Sequence, residues 1–207
     1  AVSGVSLIDT VMVLIINIFT ALATGGAVIA GQFIGKKKAE HACLATNQLL
    51  SFTLKASCII MVLGYLGKNL IINGVFGRIE ADVMYNCNVY LLIVFASVPM
   101  IALYNAGASI FRAMGNSTIA MKTSLLMNAI NLGGNALLIY GFHRGVEGVA
   151  IPTLVSRGVA CVVMLCLLNN QSRILHIHHP FSFKTDWMLL KKILYIGIPN
   201  GLENSMF

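Results

Sequence analysis

Three asparagines on one line are the first feature of this sequence that could do chemistry. Ser124, Asn128, Asn131 and Asn135 recur at i, i+4, i+7 and i+11, which on a helix places all four within a stripe of about 60°. Amide and hydroxyl oxygens in a row can coordinate a cation or bind a substrate, and they can equally join two helices by hydrogen bonds. Further along, Thr153, Ser156 and Arg157 follow Pro152. Arg157 lies near the middle of an apolar run, where an ionisable side chain faces a protein interior or a cavity. It is either a functional charge or an interior arginine bonded to free carbonyls. Pro152 has no N–H, so it frees a carbonyl one turn upstream that could act as a ligand. Lys55 is a second base inside an apolar run, and Glu203 is an acid four residues after Pro199 in the last one.

Other chemistry is thin. No two acids share an apolar run, no histidine lies inside one, and no Ser/His/Asp arrangement suggests itself, so no catalytic residue is expected. Gly31-Gln-Phe-Ile-Gly-Lys-Lys37 is one residue short of a Walker A motif and lacks the Ser or Thr after its lysine. The tract His176-Ile-His178-His179 matches no standard zinc spacing and reads as a solvated loop. Cysteines at 43, 58, 87, 161 and 166 lack CxxC spacing. They read as small packing residues, with no metal site and no disulfide framework.

The elements that must hold these residues follow from composition. Hydrophobic residues make up 57% of the 207 and charged residues 10%, against about 25% charged in a soluble domain. The net charge of +7 comes from only 7 acids against 14 bases. Those bases sit in short clusters between apolar runs, a pattern that excludes nucleic-acid binding. The fold class is all-α, a polytopic membrane helix bundle. Spanning helices need about 20 apolar residues, and five such runs are present: Thr10 to Ile34, Ala42 to Gly67, Val83 to Phe111, Thr123 to Phe142, and Gly148 to Ser172. A sixth begins near Trp187. From Lys192 to Phe207 it extends about 22 Å, too short to cross, so the sequence reads as an internal fragment cut inside a helix.

Nine of the Lys and Arg residues fall on one side, from Lys36 to Lys38 through Arg112 and Lys122 to Arg173, Lys184, Lys191 and Lys192; Lys68, Arg78 and Arg144 fall on the other. The first side is therefore cytoplasmic, which puts 35–43, 112–122 and 169–192 inside and 67–85 and 141–148 outside a plasma membrane. Residues 1–170 form one transmembrane bundle, with helices at about 10–34, 43–67, 84–111, 122–142 and 147–170. Residues 171–186, with Pro180, form a linker, and 187–207 begin a second bundle. Gly25, Gly26, Gly31 and Gly35 crowd the first helix, and the Gly31/Gly35 GxxxG pair predicts close helix packing.

These motifs resemble the MATE family, the multidrug and toxic compound extrusion transporters. Ala23-Thr-Gly-Gly-Ala-Val-Ile-Ala-Gly-Gln-Phe-Ile-Gly-Lys36 is similar to the end of the family's second helix. Asn105-Ala-Gly-Ala-Ser-Ile-Phe-Arg-Ala-Met-Gly-Asn-Ser117 resembles its fourth-to-fifth helix junction. Asn131-Leu-Gly-Gly-Asn-Ala-Leu-Leu-Ile-Tyr-Gly141 and Gly145-Val-Glu-Gly-Val-Ala-Ile-Pro-Thr153 look like its fifth and sixth helices, and Ile196-Gly-Ile-Pro-Asn-Gly201 like the opening of the seventh. The resemblance implies twelve helices in two bundles of six, of which this chain holds helices 2 to 6 and the start of 7. The partner bundle would belong to the same longer chain. It implies antiport of organic, often cationic, amphipathic drugs against H⁺ or Na⁺ by alternating access, with no cofactor. Some members bind a cation in the first bundle. Asn131 and Thr153 match residues of that site, Asn135 stands where those members carry Asp, and Glu203 is reminiscent of an acid on the seventh helix. The rival readings are a lipid-linked precursor flippase, which Lys55 and Arg157 favour, and a membrane enzyme or receptor.

Overall fold

A computed structural model describes residues 2–68, 81–143, 145–170, 174–177 and 186–206. The side chains of 2–7, 81–83 and 201–206 are not among those described. Arg78, Arg144, Arg173, His178, His179, Pro180 and Lys184 therefore lie outside the described residues. Helix α1 spans Val2–Gly35 and α2 spans Ala39–Leu66. Between them Lys37 adopts φ +56°, with Lys37 N–H donating to Ile34 O at 2.9 Å and Lys38 N–H to Phe33 O at 3.0 Å. This paired closure is usually built on glycine at the left-handed position.

The third expected span is two helices, α3 (Ala81–Ala96) and α4 (Val98–Ala113). Pro99 can donate no backbone bond to Phe95, so the helix tightens at Ser97, whose N–H reaches Val94 O at 3.1 Å. At the far end of α4, Gly115 at φ +77° closes the helix through Asn116 N–H to Phe111 O at 2.9 Å. Helix α5 (Ser117–Ala136) runs into a π-helical turn, Leu137–Gly141, and α6 spans Glu147–Leu168 with Pro152 inside it. The last helix, α7, spans Trp187–Met206, its first turn capped by the Asp186 carboxylate, which accepts from Met188 N at 3.0 Å and Leu189 N at 3.2 Å.

Among the described residues four segments are long and apolar enough to cross a membrane: Ile8–Gly35, Ala39–Leu66, Met84–Ala113 and Glu147–Leu168. Helix α5, expected as a fifth, falls short on composition because Lys122 and its three asparagines dilute the apolar run. The core joins α1, α2, α3, α4 and α6 through Phe19, Leu49, Leu91, Phe111, Met164 and Leu168. Outward-facing Leu14, Ile59, Leu125, Leu132 and Val162 are exposed, as lipid-facing residues of a bundle would be.

The glycines of α1 pack differently from the GxxxG expectation. Among the described residues a Cβ added to Gly31 or Gly35 would meet no atom within 4 Å, so no described helix packs on this pair. Gly25 and Gly26 do. A Cβ on Gly25 would sit 2.5 Å from Ile193 O of α7, and one on Gly26 would meet Leu49 of α2 at 2.6 Å. Gly197 on α7 returns the approach: a Cβ added there would lie 3.1 Å from Ala21 O. This crossing makes α1 with α7 the most extensive helix pair. The last helix thus packs directly on the first.

Residues 174–177 and Asp186, ahead of α7, bond to the bundle. Leu175 is fully buried, Ile177 N–H donates to Leu168 O at 2.9 Å, and Asp186 N–H donates to Gln48 Oε1 at 3.2 Å. Cys43 does more than fill space: its Sγ donates to Ile174 O at 3.4 Å and lies 3.9 Å from His176 Nδ1. Cys87 and Cys161 are buried as expected, whereas Cys166 is exposed.

Candidate functional site

Helices α5 and α6 run antiparallel, and Gly134 of the first faces Pro152 of the second. A Cβ at Gly134 would lie 2.7 Å from Pro152 Cβ, so the absence of a side chain there sets the spacing. Within that spacing the neighbouring polar residues reach across. Asn131 Nδ2 donates to Thr153 Oγ1 at 3.0 Å, and Asn135 Nδ2 donates to Asn131 Oδ1 at 3.1 Å. Thr153 Oγ1 then donates to Val149 O at 2.9 Å.

The bonds form a directional chain, Asn135 to Asn131 to Thr153 to the Val149 carbonyl. Every link spends a donor, so an acceptor is left at the head. Asn135 Oδ1 is buried and has no hydrogen-bond partner among the described residues. An unpaired buried amide oxygen costs about 1–3 kcal/mol, and a cation or a donated proton at that position would remove the cost. The oxygens available there are neutral amides and a hydroxyl, a set suited to coordinating a metal cation.

Of the residues singled out from sequence, Asn131, Asn135 and Thr153 come together. Asn128, on the same stripe, is exposed and lies outside the chain of bonds. Arg157 belongs to a different cluster, with its Nη1 donating to Ser97 Oγ at 2.6 Å at the break between α3 and α4. Ser97 is fully buried, and its hydroxyl donates in turn to Val94 O at 2.6 Å. Glu203 lies on α7, but its side chain is outside those described. Ser156 turns back on its own helix, donating to Thr153 O at 3.0 Å.

Sequence reasoning missed two polar contacts. Tyr90, 4% exposed, donates its hydroxyl to Asp9 Oδ1 at 2.6 Å, joining α3 to α1. Asn105 Nδ2 donates to Thr20 Oγ1 at 3.3 Å, joining α4 to α1. Asp9 escapes the sequence reading because it stands one residue before the uncharged run that starts at Thr10. Its position at the start of the spanning segment, where a carboxylate is costly, is the signal that could have found it.

Comparison with known proteins places this geometry in context. The MatE family model matches residues 1–137. The "Probable multidrug resistance protein YoeA" of Bacillus subtilis is 26% identical, aligned over 98% of this chain and 45% of its own length. Among solved structures, an inward-facing multidrug resistance MATE family transporter superimposes with a TM-score of 0.87 at 24% identity, covering 96% of this chain and 45% of that one. The MATE transporter ClbM in complex with Rb⁺ superimposes with a TM-score of 0.77 at 21% identity, covering 98% and 43%. This chain spans about half the length of the relatives it matches.

Proposed function

We propose, since this chain belongs to the MatE family, that the protein it forms part of is a secondary active antiporter exporting organic, often cationic, amphipathic compounds. An inward gradient of H⁺ or Na⁺ across the plasma membrane drives it, and alternating access carries the cargo. The observation that carries the reading is the Asn135–Asn131–Thr153 chain with its unpartnered Asn135 Oδ1. The multidrug names of relatives such as YoeA and the Rb⁺ bound to ClbM support it.

A bound ion drives transport only by favouring one conformation over the other. Each charge moving inward through 100 mV releases about 2.3 kcal/mol. That energy sustains a gradient of about fifty-fold in a neutral cargo, because about 1.4 kcal/mol is tenfold. A monovalent cationic cargo exchanged one for one against a cation gains nothing from voltage and draws on the chemical gradient. Asn135 holds no titratable proton, so this set of oxygens favours Na⁺ at α5 and α6. Proton coupling would instead use a carboxylate such as Asp9 or Glu203.

The test is ethidium efflux from energised cells expressing the full-length protein, with Na⁺ and pH gradients collapsed separately. Wild type is expected to export, while Asn131→Ala and Thr153→Ala at equal expression fail, and the gradient whose loss stops export identifies the ion. Export by both variants at the wild-type rate would reduce the asparagine chain to helix packing.

A further inference from the structure

Helices α1 and α4 are joined near their middles by the Asn105 to Thr20 bond at 3.3 Å. One turn further on Thr24 and Ser109 face the same seam, and past them the facing residues are small, Ala27 and Gly31 on α1 and Ala113 on α4. A cavity of about 320 Å³ opens between the two helices there. Gly31 keeps it open, because among the described residues a Cβ added at that position would meet no atom within 4 Å.

Two donors stand uncommitted at this cavity. Ser109 is 4% exposed, yet its hydroxyl makes no hydrogen bond to a described residue, whereas the Thr24 hydroxyl bonds back to Thr20 O at 2.9 Å. Arg112 donates through Nε to Ala108 O at 3.3 Å, which lays its side chain along α4. The N–H groups of Nη1 and Nη2 are left without a partner among the described residues. No acid lines the cavity, and none pairs with Arg112 among the described residues. A planar guanidinium beside a hydroxyl donor is a receiver for the oxygens of a phosphate.

The depth of the cavity selects the kind of phosphate. Arg112 and Gly31 lie within about one turn of the ends of the spanning segments Met84–Ala113 and Ile8–Gly35, the level at which headgroups meet acyl chains. The walls change character in the same direction: Ala27, Val28 and Ala113 are apolar, while Arg112 at the helix end is exposed. Lys36, Lys37 and Lys38 follow directly on α1 and add positive charge at that end. A soluble anion gains nothing from the apolar walls, whereas an anionic phospholipid uses both the walls and the charge.

We infer that the α1–α4 cavity binds an anionic phospholipid, its phosphate held by Arg112 and the Ser109 hydroxyl and the start of its acyl chains lying against Ala27 and Val28. The site is separate from the asparagine chain of α5 and α6, and it stands whatever the coupling ion or the cargo.

Native mass spectrometry of the purified full-length protein measures the bound lipid. Wild type is expected to hold phosphatidylglycerol at least about tenfold more tightly than phosphatidylcholine, and excess inorganic phosphate is expected not to displace it. These two readings need no variant to fold. Arg112→Gln should abolish the preference by removing the cation. Gly31→Leu should abolish it by filling the cavity, and it should fold normally because its side chain enters space that no described atom occupies. Equal binding of the two lipids, displacement by inorganic phosphate, or an undiminished preference in Arg112→Gln overturns the inference. So does an undiminished preference in Gly31→Leu, which would put the lipid outside the cavity.

Discussion

The chemistry of the site turns on a single atom, Asn135 Oδ1. Asn131 and Thr153 hand their donors along the chain in one direction, and the head is left with acceptor capacity that no described residue satisfies. Replacing Asn135 by Asp would put a carboxylate at that head. The variant is expected to bind Na⁺ about tenfold more tightly when ionised, and to lose that gain as the pH falls and the carboxyl protonates. Ethidium efflux against Na⁺ concentration at alkaline and at acid pH checks it; a pH-independent Na⁺ response would show that position 135 does not touch the ion. At this scale the sequence is informative where spacing carries the meaning. The i, i+4, i+7 repeat points Asn131 inward, and the resemblance to the family supplies Thr153. Spacing cannot say that Asn128 ends exposed while Asn131 is engaged, because the two differ by less than the width of a helix face. Arg157 is legible as an interior charge, but its partner Ser97 is not, since a serine among apolar residues carries no signal of what will approach it.

Helix α5 can deliver those asparagines only because Gly134 lets Pro152 come close. Gly134→Ala is expected to push α5 and α6 apart and cost about 1–3 kcal/mol, as overpacking does. It should also lengthen the Asn131–Thr153 bond, so that both the melting temperature in detergent and ethidium efflux fall. Efflux at the wild-type rate with an unchanged melting temperature would mean that the two helices do not meet there. A gain is available at the end of α1. Lys37 sits at φ +56°, a conformation that costs a side-chain-bearing residue about 1–2 kcal/mol. Lys37→Gly should stabilise the turn by about 1 kcal/mol, read as a higher melting temperature. The helices themselves are plain in the sequence, since long uncharged runs admit few other structures. Their interruptions are less so. The break at Ser97 follows from Pro99, a visible cue, whereas the π-helical turn from Leu137 to Gly141 has no distinguishing residue type. The Gly31/Gly35 pair shows how a motif misleads: GxxxG marks a smooth surface, and whether a neighbour lies against it depends on the packing of every other helix.

Across the described chain, α7 lies on α1 through Gly25 and Gly197. Gly197→Val is expected to part these helices, because its side chain would enter the backbone of Ala21 and Leu22. The variant should melt at a lower temperature with the α5 and α6 site intact, so cation binding per folded molecule is unchanged; equal losses of both would tie the crossing to the site. No sequence pattern specifies this pairing, because the glycines that make it lie in separate helices and each alone reads as ordinary membrane composition. In the proposed Na⁺-driven mechanism the head of the asparagine chain is where the cation binds. The most direct measurement is equilibrium binding of radioactive sodium to the purified full-length protein, wild type beside Asn135→Leu. Saturable binding by the wild type, weakened at least about tenfold in the variant at equal folding, is the predicted result; binding of equal strength in both, or none in the wild type, would contradict a cation site at Asn135.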